Sequence, residues 1–313
     1  MEEITVVECA PIEGFKLLKR DTALKEKVDL INRLAESGIS KIGAVSFVHP
    51  RLMPQFADAE EVMKSIDKRP GVTYIGLTPN EIACRRALVT NIDEILVVVA
   101  ASDTYNQVTF GHSLREAINK ILPSIIKIAL NEGKGIRAYI MTAFGCPYEG
   151  NVAMSEVVEI AYKLDFLGVN QISLSDSTGA ATPTIVRELV STLMKTDLKA
   201  DLAVHFHDAR GMALVNAMAA FETGIKIFDT AVAGMSAKPF GEPKELLANW
   251  NIPTEDLVNM FESMGVRTGV DMDVLLSCVS KAEKMLKKKC PGHILRSGVN
   301  NRLFQPPTVR SRL

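Results

Sequence analysis

The 313-residue chain is 47% hydrophobic and sets 36 basic against 37 acidic residues, for a net charge of −1. That apolar fraction supports a large core without staples, and the mixed charge argues against nucleic acid or an anionic membrane as the main partner. The acidic start MEEITVVECAPIEG lacks the basic and apolar stretches of a signal peptide, and no apolar run nears the roughly 20 residues of a membrane span. The five cysteines form no CxxC pair, so a cytoplasmic chain without disulfides or a structural zinc site is expected.

Short β-rich runs alternate with helical stretches from end to end. ITVVECA (4–10) reads as a strand before a helix at 22–37, KIGAVSFV (41–48) as one before 59–66, and VTYIGLTP (72–79) as one before 80–90. EILVVVAASD (94–103) leads to a long helix at 113–132, and IRAYIMTAFG (136–145) to 152–168. QISLSDSTG (171–179) leads to 183–196, DLAVHFHDA (201–209) to 211–223, and IFDTAVAGM (227–235) to 254–265. The strands are mostly continuous apolar runs, as in a parallel sheet buried on both faces. Gly38, Gly133, Gly168, Gly224 and Gly265 stand where helices should close. Eight units predict an α/β chain folded as a (β/α)8 TIM barrel over residues 1–270, with an open doubly wound sheet as the alternative. A further helix at 271–289 and the basic tail to residue 313 form a C-terminal extension packed on the barrel.

Active sites of such barrels lie at the carboxyl ends of the strands. Strand 7 ends His205-Phe206-His207-Asp208, and side chains two apart share a face, so both imidazoles can enter the lumen while Phe206 faces the helices. Two neutral imidazoles converging on one point suit a borderline divalent metal; the competing reading is a pair of satisfied core histidines. His49 and His112 could reach the mouth, although solvated loop positions explain both. Glu13 after strand 1, Asp176 ending strand 6 and Asn251 after strand 8 could complete the shell, while Glu8 reads as a buried, hydrogen-bonded carboxyl. A Schiff-base aldolase needs a lysine near the end of a strand, and none of the eight runs has one. The loops after strands 7 and 8, DARGM and GMSAKPFGEPKE, give little support for phosphate gripping.

The segments SFVHP (46–50), PQFAD (54–58), LTPN (77–80), GCPYEG (145–150), LSDSTGAATP (174–183), AVHFHD (203–208) and NIPTEDLV (251–258) carry a resemblance. In them the chain, to about residue 285, resembles the 3-hydroxy-3-methylglutaryl-CoA lyase branch of the pyruvate-carboxyltransferase-like (DRE-TIM) metallolyases. The resemblance implies retro-aldol cleavage of a 3-hydroxyacyl-CoA on a divalent metal, magnesium or manganese first and zinc or cobalt next, in a homodimer. It makes His205, His207 and Asn251 metal ligands, sets Asp176 near the substrate with Ile12, Ser46 and Cys146 beside it, and leaves the moving of the proton to His205, His207 or Asp176.

The family motif Gly-Pro-Arg-Asp-Gly here reads Ala10-Pro11-Ile12-Glu13-Gly14. Glu13 keeps a ligating carboxylate, whereas Ile12 removes the arginine that polarises the thioester carbonyl. Losing such a preorganised donor costs on the order of 3–4 kcal/mol of transition-state stabilisation. The strand-2 glutamate of the lyases is Gly43, and the catalytic loop cysteine aligns with Lys238, a replacement cation or acid/base. Metal ligands kept beside altered catalytic positions imply a lyase with changed chemistry or substrate. A Claisen-type acyl-CoA/2-keto acid synthase and a non-catalytic metal- or ligand-binding barrel subunit are the alternatives.

Overall fold

The computed structural model describes residues 2–19, 22–236 and 250–299. Eight strands, β1 (Thr5–Glu8), β2 (Lys41–Ser46), β3 (Thr73–Leu77), β4 (Glu94–Ala100), β5 (Gly135–Met141), β6 (Gln171–Asp176), β7 (Asp201–Phe206) and β8 (Ile227–Thr230), close into one barrel. Every neighbouring pair is parallel, and β1 pairs with β8 through Thr5↔Ile227 to Glu8↔Thr230. This is the (β/α)8 barrel that eight apolar runs demanded; the open sheet is excluded.

Strand alternation divides the interior into two apolar regions. One face, with Ile42, Val97, Ile140, Leu174, Val204 and Phe206, meets the surrounding helices. The other fills the lumen with Val7, Cys9, Ile12, Ile75, Leu96 and Tyr139. The five helix-closing glycines all have positive φ, from 67° at Gly133 to 109° at Gly224, where a β-carbon would be strained.

Local structure departs from the sequence reading in three places. β1 stops at Glu8 and the chain turns at once into a helical turn, Ala10–Glu13, with Pro11 in its first positions. A helix over Asp103–Phe110 occupies a stretch without helical apolar periodicity, held by Ser102 at its N-cap and by Asn106, whose side chain bonds both backbone groups of Ala100. The long helix that follows is interrupted by π-type turns over Ala117–Ile121. Helix Met272–Leu286 packs outside the barrel beside Leu24–Glu36, with Arg33 donating to Ser277 Oγ at 2.9 Å and Lys281 3.3 Å from Asp29. No helix among the described residues is long and apolar enough to cross a membrane, and all five cysteines are unpaired.

Candidate metal centre and active site

Three separate pieces of chain meet above the lumen. β7 contributes His205 from its inner face, and His207 follows with the same phase. Between them Phe206 points outward, its ring 5.7 Å from that of Phe144.

β1 supplies Glu13 through the turn it enters. Glu8 fixes that turn, accepting the Ala10 N–H at 2.8 Å, the Val232 N–H at 2.9 Å and the Thr254 hydroxyl at 2.7 Å. It therefore ties the carboxyl ends of β1 and β8 together, and burial lifts its pKa to about 7.

The third piece is the segment after β8. Asn251 pairs with His207 as an antiparallel bridge, and the Ile252 N–H donates to Phe206 O at 3.2 Å.

The resulting cluster is tight. His205 Nε2 lies 3.0 Å from His207 Nε2, 3.3 Å from Glu13 Oε1 and 3.2 Å from Asn251 Nδ2. Glu13 Oε2 accepts from Ser236 Oγ at 3.0 Å and from Asn251 Nδ2 at 3.2 Å, and lies 3.9 Å from His207 Nε2. Burial opposes ionisation of Glu13, but the two imidazoles and Lys16 outweigh it and hold the carboxyl below its ordinary range. For His205, burial works against the charged ring, and the carboxylates of Glu13 and Asp229 outweigh it, so its pKa rises.

This donor set fits a divalent metal. Ligands bound at 2.0–2.2 Å stand about 3.0 Å apart on an octahedral edge and about 3.4 Å apart on a tetrahedral one, and the 3.0–3.9 Å separations here bracket those edges. Two imidazole nitrogens 3.0 Å apart also need a cation or a proton between them.

Beneath the cluster lies a polar network that sequence reasoning missed. His205 Nδ1 stands 3.5 Å from Asp229 Oδ2. Asp229 accepts from Ser173 Oγ at 2.6 Å and forms a fully buried ion pair with Arg137, which also donates to Gln171. Burial raises the Asp229 pKa, but Arg137 and His205 more than offset it, leaving the carboxylate ionised. His205 Nδ1 makes no hydrogen bond among the described residues, but the ionised Asp229 3.5 Å away favours a proton on that nitrogen, which would leave the Nε2 lone pair to the cluster. Tyr139 lies beside this chain, its hydroxyl 3.3 Å from Cys9 Sγ and its ring centroid 5.2 Å from that of His205. The signal was in the sequence: Arg137 and Tyr139, and Gln171, Ser173 and Ser175, recur at period two inside otherwise apolar strands.

A cavity of roughly 680 Å³ opens onto the cluster. Glu13, Lys16, Ser175, His205 and His207 line it on one side; Leu77, Leu96, Val98, Tyr139 and Met141, with Ile12 packed among them, form much of the other. His49 and His112 line it too, so both loop histidines do reach the mouth.

Three expected substrate-side residues do not reach this cavity. Asp176 follows Ser175 with opposite phase, and its two oxygens accept the N–H groups of Ala180 and Ala181 at 2.9 and 3.0 Å. It organises the loop after β6, and burial raises its pKa to about 6. Ser46 is wholly buried, with the Val48 N–H 3.5 Å from its Oγ. Cys146 packs with Ala100 and Tyr105, its thiol 3.0 Å from Ser102 Oγ. Lys238 lies outside the described residues.

Ile12 is 2% exposed and sits against Gly43, where an added β-carbon would stand 2.7 Å from Ile12 Cδ1 and 2.9 Å from Cγ1.

Comparison with known proteins agrees with this geometry. The HMGL-like family model matches residues 3–281. The mitochondrial hydroxymethylglutaryl-CoA lyase of Homo sapiens is 34% identical over 296 residues, covering 95% of this chain and 90% of that protein. A hydroxymethylglutaryl-CoA lyase of Bacillus subtilis is 35% identical over 295 residues, covering 94% and 97%. Among solved structures, an HMG-CoA lyase from Acinetobacter baumannii in complex with coenzyme A and 3-methylmalate superposes with a TM-score of 0.89 at 33% identity, covering 97% of this chain and 98% of that one.

Proposed function

The chain belongs to the HMGL-like family, and from that premise we propose that it is a metal-dependent carbon–carbon lyase that cleaves a 3-hydroxyacyl-CoA to a ketone or keto acid and a shorter acyl-CoA. The observation that carries this reading is the convergence of Glu13, His205, His207 and Asn251 at the base of a cavity of roughly 680 Å³. Glu13, His205 and His207 would hold the ion. Asn251, whose Nδ2 faces them while its Oδ1 accepts from the Ile252 N–H at 2.8 Å, would join them through that oxygen only with its amide turned over; the family resemblance favours magnesium or manganese. Bound there, a divalent metal draws charge from a hydroxyl and a carbonyl oxygen and lowers the hydroxyl pKa.

The residues then divide the work. Asp229, braced by Arg137 and Ser173, favours the Nδ1-protonated tautomer of His205. One of His205 and His207 would take the hydroxyl proton, since both Asp176 oxygens are engaged by backbone amides. As the proton leaves the 3-hydroxyl, the bond between C2 and C3 breaks. Its electron pair moves to the carbon beside the thioester, which takes up a proton. Tyr139, whose burial raises its pKa well above the ordinary value, stays a neutral hydroxyl in the wall. The apolar lining keeps bulk water away from the reacting carbons.

A cytoplasmic homodimer is the assembly we expect for such a lyase. A non-catalytic, ligand-binding barrel is the second reading, favoured by the buried Ile12 where the lyases carry arginine. The test is a cleavage assay on protein loaded with magnesium or manganese. Hydroxymethylglutaryl-CoA and a panel of 3-hydroxyacyl-CoA thioesters would be offered, with acyl-CoA products followed by mass and His205→Ala/His207→Ala as control. Cleavage that vanishes in the control supports the lyase; stoichiometric metal with thioester binding and no turnover establishes the second reading.

A further inference from the structure

The cavity is chemically two-sided. Its metal-facing side carries Glu13, Ser175, His205 and His207; across the lumen, β3, β4 and β5 present Leu77, Leu96, Val98 and Met141. Ile12 joins the apolar side although it adjoins Glu13 in the chain, because Gly43 leaves bare backbone for its side chain. Any β-carbon at position 43 would stand 2.7 Å from Ile12 Cδ1, so glycine there and isoleucine at 12 form one fitted wall between β1 and β2.

Charge follows the same division. The lumen arginine, Arg137, is paired with Asp229 beneath the cluster and donates to Gln171. The lysines that line the cavity among the described residues, Lys16 and Lys120, come from segments beyond the strand ends. A free carboxylate held against the β2–β5 wall would therefore be desolvated with no cation of the wall to meet it.

We infer that Ile12 and Gly43, with the facing Leu77, Leu96, Val98 and Met141, form a hydrocarbon subsite, so that the acyl group taken here ends in an uncharged alkyl or alkenyl branch rather than a carboxylate. This rests on the thioester-lyase reading above and names its substrate class. A hydrocarbon chain gains about fourfold in affinity per methylene buried in such a wall, whereas a terminal carboxylate loses its hydration there.

The test uses the metal-loaded full chain and thioesters that lack the 3-hydroxyl and so bind without being cleaved: butyryl-, hexanoyl- and glutaryl-CoA, with coenzyme A as reference, followed by calorimetry. Hexanoyl-CoA should bind about 15-fold more tightly than butyryl-CoA, from two methylenes, and at least tenfold more tightly than glutaryl-CoA. Ile12→Arg should reverse the order of hexanoyl- and glutaryl-CoA. Ile12→Ala, which only opens the wall, should lower hexanoyl-CoA affinity and leave coenzyme A binding unchanged; far-UV circular dichroism and a melting curve confirm that each variant is folded. Retained coenzyme A binding with equal affinity for hexanoyl- and glutaryl-CoA would overturn the subsite and spare the lyase. Loss of coenzyme A binding altogether would overturn both.

Discussion

Replacing Asp229 by asparagine should separate the stability of the barrel from the competence of its metal centre. Asp229 and Arg137 are both fully buried and directly paired. Asparagine keeps the shape and one oxygen for Arg137 but leaves the guanidinium charge uncompensated. Breaking a buried pair from one side costs roughly 3–5 kcal/mol; because Gln171 still accepts from Arg137, the low end, about 3 kcal/mol, is expected. That is a large share of the 5–15 kcal/mol by which domains are typically stable. A second, local effect adds to it. His205 Nδ1, 3.5 Å from Asp229 Oδ2, loses the ionised carboxylate that favours its tautomer, and lost partners of this kind weaken metal binding by about 10–100-fold. Urea unfolding of the metal-free protein reads the first effect and metal titration calorimetry the second. Arg137→Met/Asp229→Asn, which removes both charges, should regain most of the stability without regaining metal affinity. If Asp229→Asn unfolds within about 1 kcal/mol of the parent and binds metal equally well, the argument for a braced His205 fails.

Metal at about 100 times its dissociation constant should add about 2.7 kcal/mol, on the order of 5 °C in Tm, and a chelator or His205→Ala/His207→Ala should abolish the shift in a melting scan. Gly43→Ala forces a β-carbon to within 2.7 Å of Ile12 Cδ1 and should cost about 1–3 kcal/mol of overpacking. Made in the Ile12→Ala background it should cost much less, and a double-mutant cycle showing simple additivity would contradict the fitted wall. Glu255 is fully buried, and burial lifts its carboxyl from 4.5 to about 8. It therefore keeps its proton when folded but loses it above about pH 4.5 when unfolded, so stability should fall by about 1.4 kcal/mol per pH unit across that window as pH rises. Glu255→Gln cannot ionise and should flatten the fall between pH 5 and 8 in urea titrations; parallel curves for the two proteins would refute the assignment.

The barrel was legible because its signals repeat. Eight apolar runs and a glycine at each of five helix ends point to the same answer, and the backbone at Gly38, Gly133, Gly168, Gly224 and Gly265 does adopt the left-handed φ that position demands. The metal centre was legible where local spacing fixes phase, since His207 follows His205 by two residues just past the end of β7. Asp176 shows the limit: it belongs to the motif LSDSTG, but it follows Ser175, so when Ser175 faces the cavity Asp176 turns to the loop amides. Helix Asp103–Phe110 was invisible for a different reason. It is held by side-chain bonds from Ser102 and Asn106 rather than by an amphipathic stripe.

The altered catalytic positions carry the deeper lesson. In the sequence, Ile12 for arginine and Gly43 for glutamate read as two independent losses of charge, each of which would weaken a lyase. In the folded chain they are one contact, a branched side chain seated on bare backbone. A site that merely decays leaves an unpaired charge or a void behind, and either is costly. Here both charges are gone and Ile12 is packed to 2% exposure, while Glu13, His205, His207 and Asn251 still converge. A fitted wall beside a converged donor set is what the proposed hydrocarbon subsite requires, because it shapes the surface that the acyl group would meet and leaves the residues that would hold the metal in place.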